Sequence, residues 1–373
     1  MLSKRHWAGL TIIWIISQIV FVLVFGISSV GEGDFVGVAD QIVNSTWKFA
    51  PNILLYAGHI LPVLIVRLVG LPVASLYLSQ IAVAGVAFVA FVKLLEQTLS
   101  AQSSVIFGSV LFAVCPFYQS WTPYLSSDSI FANLLVIAIY LLVNSKYDSK
   151  FRRLLYIMLL IVPFFRPVGF LFIPVAILYW LSNKSPLFKR AICFFGVYFC
   201  ILALAILIIL NYPNNYYYAG HNSEANIICG YPGNLGPYIV TPYSQEKGIL
   251  RFFFENPQMT WRLMLSRLVK SFWMTRPYFS TRHNLFIAIG LVPYYILAGI
   301  GFVHLLISRT IKRDQYLLPG VLLFLVPSVI FCADWANRFI LPEFVFVLIL
   351  VSIGVDRLLT KLKSIEAERT KIS

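Results

Sequence analysis

Of the 373 residues, 59% are hydrophobic and only 12% charged, and 29 Lys and Arg outnumber 15 Asp and Glu to give a formal charge of +14. Soluble domains carry roughly 25% charged residues, so this composition, with a mean hydropathy of +0.82, excludes a soluble fold and points to an all-α polytopic membrane protein. It also argues against a nucleic-acid binder, because the cations fall mostly in short links between apolar runs, where the positive-inside rule puts them.

The first apolar run, Ala8 to Ser29, is long enough to span a bilayer, since about 20 helical residues at 1.5 Å each match a ~30 Å hydrocarbon core. It reads as a membrane helix and not a cleavable signal: the run is too long and no small-x-small site precedes the acidic loop. Acids and glycines follow at the membrane exit, in Gly31-Glu32-Gly33-Asp34-Phe35-Val36-Gly37-Val38-Ala39-Asp40. A carboxylate fixed at a membrane surface can serve as a base toward a substrate arriving from water or lipid. Asp34 is the favoured base and Asp40 a supporting group, because six residues of separation do not place them on one helical face. The simpler alternative is that both are solvated loop acids.

Residues 51–70 are apolar but interrupted by Pro51, His59, Pro62 and Arg67, which suits a short interfacial or re-entrant helix better than a full span. Tyr56 and His59 from this segment are candidates for contacting an acceptor. Further apolar runs at about 73–95, 104–123, 128–144, 154–166, 168–181, 190–210, 284–307, 316–333 and 339–356 bring the expected total to about ten spans. Asp128 opens one of these spans. It reads either as a first-turn acid favoured by the helix dipole or as the polar wall of an outer cavity.

Arg166 separates two short apolar runs, and Pro167 after it disfavours helix there. An arginine at membrane depth is costly unless it faces a cavity or a partner. With the N-terminus inside, the basic links 146–153, 184–190 and 309–313 and the tail 361–373 are cytoplasmic, and the long segments 30–72 and 211–283 lie outside. The second of these begins irregular and rich in Pro, Gly and Tyr. It then offers a basic amphipathic helix in which Arg262, Arg267 and Lys270 alternate with Leu and Trp, a pattern suited to the headgroup plane.

Near the C-terminus, Arg338 sits at the outer end of the final span, where a guanidinium can bind phosphate in bidentate fashion. Glu343 lies further in and needs a partner or a cavity, so an Arg338–Glu343 or Arg166–Glu343 salt bridge is the plainer reading of these charges. Five cysteines show no metal-ligand spacing. A disulfide from Cys229 to Cys115 or Cys332 is the minor alternative to free thiols. His59, His221 and His283 suggest no ligand trio, and no phosphate-binding glycine loop, HExxH or Ser/His/Asp pattern is present.

The order of these features resembles the GT-C membrane glycosyltransferases, in particular the bacterial relatives of protein O-mannosyltransferases and aminoarabinose transferases. The resemblance rests on Asp34-x4-Ala39, on Tyr56-Ala57-Gly58-His59-Ile60-Leu61-Pro62 followed by a Leu-Val-Gly-Leu-Pro stretch at 68–72, and on Ser127-Asp128. It continues in Phe165-Arg166-Pro167-Val168-Gly169 and Arg338-Phe339-Ile340-Leu341-Pro342, so it covers about 1–360. Two positions depart from the pattern: Asp128 stands where the family usually has Glu, and Phe35 where the mannosyltransferases have a second acid. The resemblance implies a single GT-C-like bundle over 1–360 with amphipathic outer-loop helices.

It also implies transfer of a sugar from a polyprenyl-phosphate carrier to a glycan, lipid or protein acceptor on the outer face of a plasma or bacterial inner membrane. In that scheme Asp34, Asp40 and Asp128 serve the chemistry, and Arg166, Arg338, Arg262, Arg267 and Lys270 hold the lipid phosphate. No particular cofactor is implied, and a divalent metal on Asp34 and Asp128 is an option. Two other classes fit the outline: an O-antigen polymerase or ligase working through outer-loop arginines, and a lipid or sugar transporter, for which inverted repeats are expected but not seen.

Overall fold

The computed structural model describes residues 2–28, 33–46, 51–182, 224–229, 231, 235–242, 248–307, 316–330, 332–333 and 340–372. These residues are helical with no β-strand among them; three isolated β-bridges are the only extended pairings. Four helices are long and apolar enough to cross a membrane: α1 (Lys4–Phe25), α4 (Leu76–Thr98, extended at its start by a 3₁₀ turn, Val73–Ser75), α7 (Ser127–Asn144) and α12 (Thr281–Ile307). The remaining helices are α2 (Gly33–Val43), α3 (Ala57–Leu68), α5 (Gln102–Val114), α6 (Pro116–Gln119), α8 (Ser149–Ile161), α9 (Phe172–Ser182), α10 (Gly248–Glu255), α11 (Pro257–Trp273), α13 (Leu317–Ile330) and α14 (Leu341–Ile372).

Prolines account for several departures from the apolar pattern. The run at 104–123 reads as one span, yet the helix stops at Cys115, whose extended backbone precedes Pro116, and restarts as the short α6. At Arg166 the expected break is present. α8 gives way to a 3₁₀ turn (Val162–Phe164), Arg166 is extended, and a second 3₁₀ turn (Pro167–Leu171) leads into α9. Residues 51–72 form a 3₁₀ turn (Pro51–Tyr56) and α3, whose 12 residues at about 1.5 Å each are too short to span a bilayer. The final helix does not end with its apolar run at 356 but continues to Ile372. The expected run at 190–210 lies outside the described residues, as do Asn211 to Tyr218.

The chain divides into two compact units: residues 1–188, 294–320 and 344–373, and residues 189–293 with 321–343. In the first unit α7 is the central element, packed against α4 and α8, and every residue along it except Tyr140 is buried. α1 packs on α5, and α5 on α4. On α1, Ile12, Ile16, Ile19, Leu23 and Val24 remain exposed. An apolar face left uncovered on a helix of membrane length is what acyl chains would cover. The second half of α12 and α14 approach backbone to backbone, since a Cβ on Gly301 would overlap the Leu350 carbonyl and one on Gly354 the Leu297 carbonyl. Small residues at such crossings are how membrane helices gain close packing.

The second unit has its own apolar core of Ala225, Leu235, Phe252, Met259 and Leu263. Asn256 organises the join between α10 and α11. Its buried side chain accepts from the Val240 and Thr241 amides at 2.7 and 2.9 Å and donates to the Thr241 and Phe252 carbonyls. Pro257 opens α11, where a missing amide costs nothing. Cys229 and Cys332 form a disulfide, which corrects the expectation of free thiols, while Cys115 is a buried free cysteine.

Candidate functional site

The candidate site is assembled in the first unit from the chain leaving α1, from α2 and α3, from the turn at 162–167 and from the start of α7. Ser28, just past α1, donates its amide to the Pro123 carbonyl at 3.2 Å and accepts from the Leu125 amide at 2.7 Å. Those bonds hold the exit of the first span against the segment that introduces α7. Ser126 caps α7, its hydroxyl accepting from the Ser129 amide, and Asp128 follows in the first turn.

Asp128 is buried and forms an ion pair with Nη1 of Arg166, which is buried as well. The extended backbone that Pro167 imposes on Arg166 releases its side chain from any helical face. Asp128 is thus a carboxylate partner of Arg166, from the first turn of α7. Glu343 is itself buried, with an Oε2 that has no hydrogen-bond partner among the described residues.

α3 supplies the third ionisable group. His59 is only 4% exposed. Burial, aided by the positive charge of Arg166, pushes its pKa down to about 4, so the ring is neutral near pH 7. Its ring meets Phe35 edge-on with centroids 5.5 Å apart, and Phe35 also lies 4.9 Å from the Tyr56 ring. Gly58 permits this closeness, because a Cβ there would meet the Phe165 ring at 2.8 Å and the Phe164 carbonyl carbon at 3.1 Å.

Asp40 and Arg67 join α2 to α3 through a two-pronged contact, with Nε to Oδ1 and Nη2 to Oδ2 both at 2.8 Å. Ala39 and Val63 pack with Leu76 and Leu125 beneath them. Asp40 is thus a clamp that sets α2 on α3, a role its sequence context did not suggest. Asp34 lies in the first turn of α2, one residue before Phe35; its side chain lies outside the described residues. The backbone therefore brings the segment carrying Asp34 to the same ring cluster that contains His59 and Tyr56.

The remaining predicted cations belong to the second unit. Arg262 is exposed, with its guanidinium carbon 4.1 Å from the Tyr238 ring centroid, and Lys270 is exposed on α11. Arg267 is corrected as a headgroup-facing cation. It is 1% exposed and donates through Nε and Nη2 to the Asn226 carbonyl and through Nη1 to that of Ile330. Burial pushes its pKa down to about 10, which leaves it charged at neutral pH. Arg338 lies outside the described residues.

Among the described residues no three His, Cys, Asp or Glu side chains are grouped to hold a metal ion. At Asp128 the Arg166 guanidinium already occupies the carboxylate, and a metal cation would have to compete with it. Compared with protein families, curated proteins and solved structures, the chain matches none.

Proposed function

We propose that this protein is an integral membrane glycosyltransferase that moves a sugar from a polyprenyl-phosphate carrier to an acceptor hydroxyl at the outer face of the membrane. The observation that carries this reading is the buried Asp128–Arg166 pair with His59 beside it, next to α2, whose first turn holds Asp34. A buried arginine paired with a carboxylate, beside a neutral histidine, is a site of low net charge. A guanidinium is the group best suited to a phosphate, and a carboxylate can take the proton of a hydroxyl.

In the proposed reaction Asp34 takes the proton of the acceptor hydroxyl. The acceptor oxygen attacks the anomeric carbon, and the bond from that carbon to the phosphate oxygen breaks. The lipid phosphate leaves with the electron pair, and its charge is stabilised by Arg166, which Asp128 holds in place. The ten-span arrangement with cytoplasmic termini belongs to the same reading. The Cys229–Cys332 bond supports an outer location for the second unit's loop, because disulfides persist in oxidising compartments.

The test is transfer from a synthetic polyprenyl-phosphate sugar in proteoliposomes. Asp34→Asn is expected to lower turnover by about 10²–10⁴-fold with expression and thermal stability kept. Wild-type turnover in Asp34→Asn, with loss on alanine replacement of Arg262 or of Arg251, which pairs with Glu255 on α10, would favour a polymerase or ligase instead. Sugar flux without transfer would favour a transporter.

A further inference from the structure

The second unit contains a knot that the proposed reaction does not use. Two chain segments meet there in a parallel bridge, residues 226–229 on one side and Cys332 and Ala333 on the other. Ile228 bridges Ala333, the Ala333 amide donates to the Ile227 carbonyl at 2.8 Å, and the Cys229 amide donates to the Ala333 carbonyl at 3.0 Å. At one end of this short pairing the Arg267 fork holds the carbonyls of Asn226 and Ile330. At the other end Cys229 is bonded to Cys332, 103 positions away.

The offsets explain the geometry. Asn226 lies three residues before Cys229 and Ile330 two before Cys332, so each cysteine follows its clasped carbonyl by a short tether. Fixing the two carbonyls on one guanidinium therefore holds the two cysteines within a few residues' reach of each other. Selection is needed, because the chain also carries Cys115, Cys193 and Cys200, and closing a loop of this length is entropically unfavourable unless something local assembles it first. The planar five-donor fork of arginine can satisfy carbonyls on two segments at once, which a lysine ammonium on a flexible stem does less well. Met259 and Leu263, on the same buried stripe of α11, anchor the helix in its core, so Arg267 is presented from a packed element.

We propose that Arg267 is the positioning residue that selects Cys332 as the partner of Cys229, so that an external oxidant of the disulfide class closes this bond on a clasp already formed. With glutathione disulfide as oxidant, the Cys229 and Cys332 thiols give up two electrons and two protons. The sulfurs join, and two glutathione thiols are released. The inference concerns assembly of the outer unit and stands independently of sugar transfer.

The experiment uses the full-length protein in detergent, reduced and then equilibrated in buffers of glutathione and glutathione disulfide. Free thiols are trapped by alkylation, and the paired cysteines are identified by peptide mass. Wild type is expected to give Cys229–Cys332 as its dominant pair. Arg267→Met is expected to lower the equilibrium constant for that bond at least ten-fold and to leave Cys229 free or joined to another cysteine. Arg267→Lys keeps the charge without the fork and is expected to fall between the two. If Arg267→Met does not stay folded, Arg267→Lys decides the matter alone. A wild-type constant and wild-type pairing in Arg267→Lys, or in folded Arg267→Met, would overturn the proposal. The readout is bond formation, so it is unaffected by whether the protein transfers sugar.

Discussion

Arg166 and Asp128 come from different elements and meet as an ion pair with both side chains almost fully enclosed, 8% and 1% exposed. The proline after Arg166 and the cap before Asp128 each do local work, and the pair joins their results. Enclosure makes the pair asymmetric in its consequences. Removing one partner leaves an uncompensated buried charge, whereas removing both removes the desolvation cost too.

The single replacement Asp128→Asn is therefore expected to destabilise the protein by about 3–5 kcal/mol. The double replacement Asp128→Leu with Arg166→Met should recover most of that loss. Thermal unfolding in detergent measures both. If the pair serves transfer, the double variant will be stable and inactive, and a stable, fully active double variant would remove Arg166 from the proposed chemistry.

His59 gives the protein a stability that depends on pH. Its folded pKa of about 4 lies below the ordinary 6.5, so between those values the unfolded chain binds the proton more readily. Stability is then complete above about pH 6.5 and declines as pH falls toward 4. The total loss is about 3 kcal/mol at roughly 1.4 kcal/mol per unit. Melting temperatures across that range should show the slope in wild type, and His59→Gln should flatten it. An unchanged slope in the variant would assign the acid sensitivity to other groups.

The crossing of α12 and α14 depends on the absence of side chains. Gly301→Ala and Gly354→Ala each place a methyl against a facing carbonyl, so each is expected to cost about 1–3 kcal/mol through forced separation of the helices. Gly299→Ala, two positions away and with nothing within 4 Å of its new Cβ, is expected to be neutral or stabilising, because alanine favours helix by about 1 kcal/mol. The melting temperatures of the three variants make the comparison.

Topology is open to a direct measurement. In sealed vesicles of known orientation, an impermeant thiol reagent should reach cysteines introduced near Asp34 and Asn222 from the outside. It should reach those near Lys150 and Lys363 only after the vesicles are opened. Labelling of the 211–283 segment from the cytoplasmic side alone would invert the arrangement and remove an outer acceptor site.

Local rules made parts of this molecule legible and left others hidden. The break at Arg166 and the short helix within 51–72 follow from prolines and interrupted hydropathy, and both are present. Counting apolar residues over 104–123 concealed the interruption at Cys115 and Pro116, since proline is no less apolar than its neighbours there. The same counting ended the last span at 356, although Arg357, Lys361 and Lys363 are good helix formers and the backbone continues through them. The partners of Arg166, Arg67 and Cys229 are long-range facts. No spacing rule connects Cys229 to Cys332 or Arg67 to Asp40, because those meetings depend on how whole helices pack.

The nearly complete enclosure of α7 separates two kinds of apolar residue that hydropathy treats alike. Leu134 and Phe131 touch protein on all sides, so a change of one methylene must be absorbed by neighbours that are themselves fixed. Ile16 and Leu23 on α1 face outward, where any aliphatic side chain serves. A library randomised over both helices with apolar residues alone should therefore return functional clones with narrow choices along α7 and nearly unrestricted ones along the outer face of α1. The amides of α7 should also be among the slowest in the protein to exchange with deuterium.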